Sequence, residues 1–157
     1  MSEITCLLDV VDRAYNRKSW HGTNLRGSLR GVTLAGSVWR PAPNRHNIGE
    51  LVVHAAYWKY IVWRRLAGGE RGSFALEGSN FFERSDATNG RRWKTDVALL
   101  GRTHRELREA IANLSPRALD RRAPGGTVTY RELVAGIAAH DLYHAGQIQL
   151  IKRMYRS

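Results

Sequence analysis

The chain has 157 residues, with 25 Lys plus Arg against 14 Asp plus Glu, a formal net charge of +11, and a single cysteine. That length suits one domain over residues 1–157 with a core of its own, and a lone Cys6 excludes a disulfide framework, a CxxC pair or a cysteine-rich zinc site. No run of 18 apolar residues occurs, and the opening "MSEITCLLDVVDR" lacks the order of a secretory leader, so the expected location is the cytoplasm, away from membranes. The first helical stretch, about residues 2 to 18, places Ile4, Leu7 or Leu8, Val11 and Ala14 or Tyr15 on one side. Cys6, near its start, reads as a small buried side chain with no adjacent basic partner to activate it. A long connection, about 19 to 45, contains Gly22, Gly27, Gly31, Gly36, Pro41 and Pro43 and is expected to hold short helical turns rather than a strand.

The second long helix opens at "NIGE", where Asn47 and Glu50 have the spacing of a capping box, and its apolar seam is Leu51, His54, Trp58 and Ile61. "AGGERGS" ends it, and a linker over about 67 to 90 leads to a third helix. There Trp93, Val97, Leu100, His104, Leu107, Ile111 and Leu114 recur at spacings of four and three, up to about Asn113. Ser115-Pro116 has the form of a cap followed by proline at the first helical position, which predicts a short helix. The last long helix opens at "TYRE", with Thr129 and Glu132 as a second capping box. It runs to about 154 with the seam Leu133, Ile137, His140, His144, Gln147 and Ile151. No strand alternation of useful length appears, so the predicted fold class is all-α, a four-helix bundle.

Four of the six histidines fall on these seams: His54, His104, His140 and His144. Imidazole is a common metal ligand, and residues four apart on a helix point the same way, so His140 and His144 can both reach one ion at about 2.0 to 2.1 Å. A third ligand must come from a facing helix. His54 is preferred because a lone imidazole among large apolar neighbours needs a partner, although a satisfied core histidine is the plainer reading of any one of them. His104 ranks behind it, with a substrate-pocket or structural role. Asp141 is placed to accept the second ring N–H of a ligand, and Gln147 to hydrogen-bond a metal-bound molecule; each is equally readable as an ordinary polar residue at the edge of the helix face. His21 and His46 sit in or beside the long connection and read as exposed or capping. The five tryptophans, Trp20, Trp39, Trp58, Trp63 and Trp93, read as packing residues.

Two other functions are disfavoured. "HDLYH" has the histidine spacing of the H-E-x-x-H metalloprotease helix, but Asp141 replaces the glutamate base and no third-ligand extension follows. The basic residues come as scattered pairs, Arg64-Arg65, Arg91-Arg92 and Arg121-Arg122, without a recognisable nucleic-acid motif, so the charge reads as a solvated surface rather than a nucleic-acid site.

The stretches "SVWRPAPNRHNIGELVVHAAYWKYIVWRRLAGG", "RRWKTDVALL" and "HDLYHAGQIQLIKR" resemble the DinB-like superfamily of metal-binding four-helix bundles, which includes the YfiT-type proteins. The resemblance implies an up-down-down-up bundle with a long crossover, commonly dimeric, holding a divalent ion such as nickel or zinc. Its metal triad falls on His54, His140 and His144, the set reached by counting seams. Members with assigned activities are thiol-dependent S-transferases, using mycothiol, bacillithiol or glutathione, or metal-dependent hydrolases. The resemblance therefore implies a small-molecule substrate, with a low-molecular-weight thiol favoured over hydrolysis; a non-catalytic protein whose metal is purely structural is the alternative that the histidine set itself leaves open. Where many members carry another basic residue or histidine after the last ligand, this chain reads "HAGQI", which bears on substrate preference and leaves the triad intact.

Overall fold

The structure, a computed structural model, describes residues 2–156. Among these the architecture is all-helical, with one isolated antiparallel bridge between Arg122 and Thr129. Helix α1 (Glu3–Tyr15) starts at Ser2, whose hydroxyl accepts the Thr5 N–H at 3.2 Å and so satisfies one of the backbone donors left free in a first turn. The long connection holds two short helices, α2 (Leu25–Ser28) and α3 (Leu34–Val38), capped by Asn24 and Thr33. Helix α4 (Ile48–Ala67) has the full capping box: Asn47 Oδ1 accepts the Glu50 N–H at 2.8 Å, and the Glu50 carboxylate accepts the Asn47 N–H. It stops at Gly68, whose φ of 71° is the left-handed conformation that ends helices and that side chains resist.

Helix α5 (Gly90–Ala112) starts at Asn89, and a 3-10 turn over Pro116–Asp120 follows with proline at its start. Ser115 makes no side-chain capping bond there, so the proline alone marks that boundary. Helix α6 (Tyr130–Arg156) opens on a reciprocal pair: Glu132 accepts the Thr129 N–H at 2.5 Å, and Thr129 Oγ1 accepts the Glu132 N–H at 3.2 Å.

The four long helices pack in a consistent pattern. Both α1 and α4 lie against α5 and α6, while α2 lies against α6 and α3 against α4. The apolar side chains between them form two clusters. One gathers Leu51, Val52 and Ala56 from α4, Leu99 and Leu100 from α5, and Ala145, Ile148 and Ile151 from α6. The other gathers Val11 and Ala14 from α1, Val62, Leu107, Ile111, Val134, Ile137 and Ala138. Each fully buried Leu or Ile in them contributes about 1.5 to 3 kcal/mol. Helices α4, α5 and α6 each pass from one cluster to the other through polar residues. These are Lys59 on α4, Thr103 and His104 on α5, and Asp141 and His144 on α6, all buried. The fold therefore carries a polar layer between two oily ones, and the candidate site lies in and beside that layer.

Two expectations fail at the surface. Cys6 is exposed, because it lies two residues, roughly 200° of helix, beyond the buried Ile4. Trp20 is 95% exposed rather than packed, whereas Trp39, Trp58, Trp63 and Trp93 are partly buried against the two clusters.

Candidate metal centre

His140 and His144 stand one turn apart on α6, and α4 brings His54 up to them. His140 Nε2 lies 3.1 Å from His54 Nε2 and 3.0 Å from His144 Nε2. The three rings each offer a ligand atom within 4.8 Å of the others. His54 and His144 are buried, and His140 is partly buried.

The outer ring nitrogens decide what the inner ones can do. His54 Nδ1–H donates to the backbone carbonyl of Asn80 at 2.9 Å, and His144 Nδ1–H donates to Gln147 Oε1 at 2.7 Å. With Nδ1 protonated, each of these neutral rings directs a bare Nε2 lone pair at His140. His140 can give one proton to only one of them, and its own Nδ1 is buried with no partner. No placement of protons on neutral rings satisfies all three.

Protonation offers no escape, because burial disfavours the imidazolium form. Burial pushes His140 down to about 3, helped by His144, His54 and Lys59. Burial likewise brings His144 to about 4 against the opposing bond from Gln147, and lowers His54 despite the Asn80 carbonyl. What fits is a cation that accepts all three lone pairs. Nitrogens about 2.0 to 2.1 Å from one ion, at octahedral to tetrahedral angles, are about 2.8 to 3.4 Å apart. Two of the three spacings, 3.0 and 3.1 Å, lie in that range, and all three ligand atoms lie within 4.8 Å of one another. The group can hold a metal ion.

The surroundings come from a part of the chain with no regular structure. Asn80, between α4 and α5, has a φ of 64°, an uncommon conformation for a residue other than glycine. Its Oδ1 accepts from Trp58 Nε1 at 3.1 Å, which helps hold its carbonyl over His54. The next residue, Phe81, is stacked between two imidazoles, 4.1 Å from His54 and 3.7 Å from His46 between ring centroids. His46 in turn contacts the Glu50 carboxylate at 2.9 Å, which also binds Arg40. Beside this stack a groove of about 520 Å³ runs between the connection and the end of α6, lined by Arg45, His46, Leu51, Gln147, Leu150 and Ile151.

The other candidates take different places. His104 is not in the triad: its Nδ1 is 3.4 Å from Lys59 Nζ, and its ring stacks on Tyr15 at 3.7 Å. Asp141 does not hold a ligand histidine. Its Oδ2 accepts from Lys59 Nζ at 2.5 Å, both side chains are fully buried, and Oδ1 has no partner among the described residues. It is also not at the edge of its helix; the buried face runs through Val134, Ile137, Ala138, Asp141, His144 and Ala145, which turns His140 toward the rim. The physical reason is Lys59, an ion-pair partner 82 residues away that lets a carboxylate occupy the core. Gln147 binds the His144 ring directly.

Four contributors escape a reading of the sequence: Lys59, Asn80, Phe81 and His46. Only His46 carries a signal there, its position four residues before Glu50.

Fold and site together define an all-helical protein with a three-histidine group able to hold a metal. The chain belongs to the DinB superfamily, whose sequence pattern matches residues 19–148. No curated protein matches the chain.

Proposed function

We propose that His54, His140 and His144 hold one divalent ion, nickel or zinc, with a coordination position left open, and that the protein is an enzyme transferring a low-molecular-weight thiol to an electrophile. The observation that carries this reading is the convergence of Nε2 lone pairs that the Asn80 and Gln147 contacts enforce. Structural zinc sites close with four protein ligands; here His104 is engaged with Lys59 and Tyr15, which favours three ligands and an open position. A bound divalent ion would supply Lewis acidity, favouring the deprotonated form of a small thiol or water.

The chain's own residues do the rest. The Asn80 carbonyl and Gln147 orient two ligand rings and raise their basicity. Phe81 covers the outer face of His54 and keeps water from it. Arg45 at the groove mouth suits a thiol that carries a carboxylate, and Leu51, Leu150 and Ile151 offer an apolar wall to the electrophile. Cys6, exposed on α1, is not part of the triad, so the nucleophile comes from outside the protein. The packing of α1 and α4 against α5 and α6 supports an up-down-down-up four-helix bundle, with the connection that holds α2 and α3 as its long crossover. We further propose a single domain, a homodimer and a cytoplasmic location; no helix is long and apolar enough to cross a membrane.

The test is to load the protein with nickel, zinc or manganese and supply a panel of thiols with a generic electrophile. Conjugation that requires both metal and His144 is expected. Turnover unchanged when thiol is omitted would assign hydrolysis instead, and bound metal with no turnover of any substrate would leave a structural ion.

A further inference from the structure

A second concavity, of about 470 Å³, lies away from the triad where α1 meets α5. Its lining includes Tyr15, Arg26, Val97, His104, Arg105 and Lys94. Three properties set it apart from an ordinary basic surface.

The first is charge: Arg26, Lys94 and Arg105 form no ion pair with any described residue, and no carboxylate lines the groove. Other arginines that face the core are paired, as in Arg108 with Asp12, Arg84 with Asp96 and Arg40 with Glu50, whereas these three cations converge on one groove without a carboxylate among them. The second is the floor. Tyr15 is 4% exposed, and its hydroxyl makes no hydrogen bond to a described residue. His104, also 4% exposed, accepts from the Lys59 ammonium at Nδ1, so its ring proton sits on Nε2.

The third property follows from these two. The charged groups are donors only, and so is the ring proton His104 has left, which matches a ligand that is all acceptor. Two guanidiniums and an ammonium suit a phosphate, which carries up to two negative charges and takes forked Arg contacts. Val97 and Ala98 give the same groove an apolar wall for an organic group. Next to it, sharing Asn16 and Arg26, a larger trough of about 710 Å³ adds Lys18 and Arg30, again without a carboxylate, and extends the positive field that steers an anion inward.

We propose that the Tyr15–His104 groove is a binding site for a small organic phosphate, its phosphate held by Arg26, Arg105 and Lys94 and its apolar part against Val97 and Ala98. The site is independent of the metal reading, since none of these residues belongs to the triad.

The probe is phenyl phosphate, a weak chelator, titrated into the full chain at low salt in phosphate-free buffer and followed by amide shifts in NMR. Saturable binding is expected, with shifts at Tyr15, Val97 and His104 and none at His54 or His144. Arg26→Gln and Arg105→Gln should each weaken it about tenfold, as should replacing the probe by benzenesulfonate, which has one charge fewer. Tyr15→Phe, which keeps the stacking, should cost about threefold. Arg117→Gln, outside the groove, should have no effect beyond about twofold at low salt. Equal losses for Arg117→Gln and Arg105→Gln would reduce the site to diffuse positive charge and overturn the proposal. So would shifts centred on His54 and His144, or no saturable binding. A single-stranded oligonucleotide that binds more tightly than phenyl phosphate and depends on Lys18 as much as Arg105 would assign the trough to nucleic acid, and would also overturn it.

Discussion

The polar layer contains two groups of buried nitrogen and oxygen that meet the same physical demand in opposite ways. The Lys59 ammonium is satisfied within the chain, donating to Asp141 at 2.5 Å and to His104 Nδ1 at 3.4 Å, with Tyr15 stacked on His104 at 3.7 Å. The histidine triad, on neighbouring turns of α4 and α6, cannot do this, because its outer nitrogens are tied up and its inner ones present lone pairs to lone pairs. A buried polar group that the chain completes serves the fold; one that it leaves incomplete awaits something from outside. The comparison also separates His104 from the triad, although all four histidines are buried or nearly so and all have lowered proton affinity.

Breaking the Lys59–Asp141 pair should have the largest effect on folding. Lys59→Met leaves the Asp141 carboxylate alone in the core and is expected to cost about 3 to 5 kcal/mol in urea denaturation. Lys59→Met with Asp141→Leu should recover most of it, since an apolar pair of similar volume removes both charges. If the single and double variants are equally unstable, the pair is not a coupled unit and the contrast with the triad loses one side.

The pH dependence of stability sharpens the same contrast. Burial, with Lys59, Arg108 and Arg105 nearby, brings His104 to about 3 in the fold, whereas an unfolded histidine titrates near 6.5. As pH falls the unfolded chain takes up the proton first. The stability tied to neutral His104 is therefore complete above about pH 6.5 and is lost progressively toward pH 3. At pH 5 the loss is about 2 kcal/mol relative to pH 7. His104→Phe keeps a flat ring against Tyr15 and should flatten this part of the curve. An unchanged acid slope in that variant would show that His104 is not the group responsible.

The smallest of these effects concerns a ligand's support. Gln147→Leu removes the acceptor for His144 Nδ1–H without touching a ligand, and should weaken metal affinity by about tenfold while leaving folding nearly unchanged. Calorimetric titration of metal into the stripped protein would measure it, and an unaltered affinity would mean that the Gln147 contact does not orient the ring.

How much of this is legible in the sequence depends on how local each determinant is. Asn47 with Glu50 and Thr129 with Glu132 mark helix starts within four residues, and both capping pairs form. His140 and His144 are fixed relative to each other by helical geometry, and His54 stands out on a seam of apolar residues. Lys59 does not: a lysine on a helix reads as surface unless its partner is known, and that partner lies 82 positions on. Asn80 acts through a backbone carbonyl, which no residue type announces, and Phe81 acts through the loop that carries it. Asp141 is hard to place for a related reason: its charge argues for the rim of α6, whereas the structure buries it on the face it shares with Ile137 and Ala145.

The most direct test of the metal centre is cobalt(II) titrated into metal-stripped, tag-free protein and followed by its visible absorption. One ion per chain is expected, with binding abolished in His140→Ala and retained in His104→Phe. Binding that survives His140→Ala, or that disappears with His104 instead, would contradict a centre built on His54, His140 and His144.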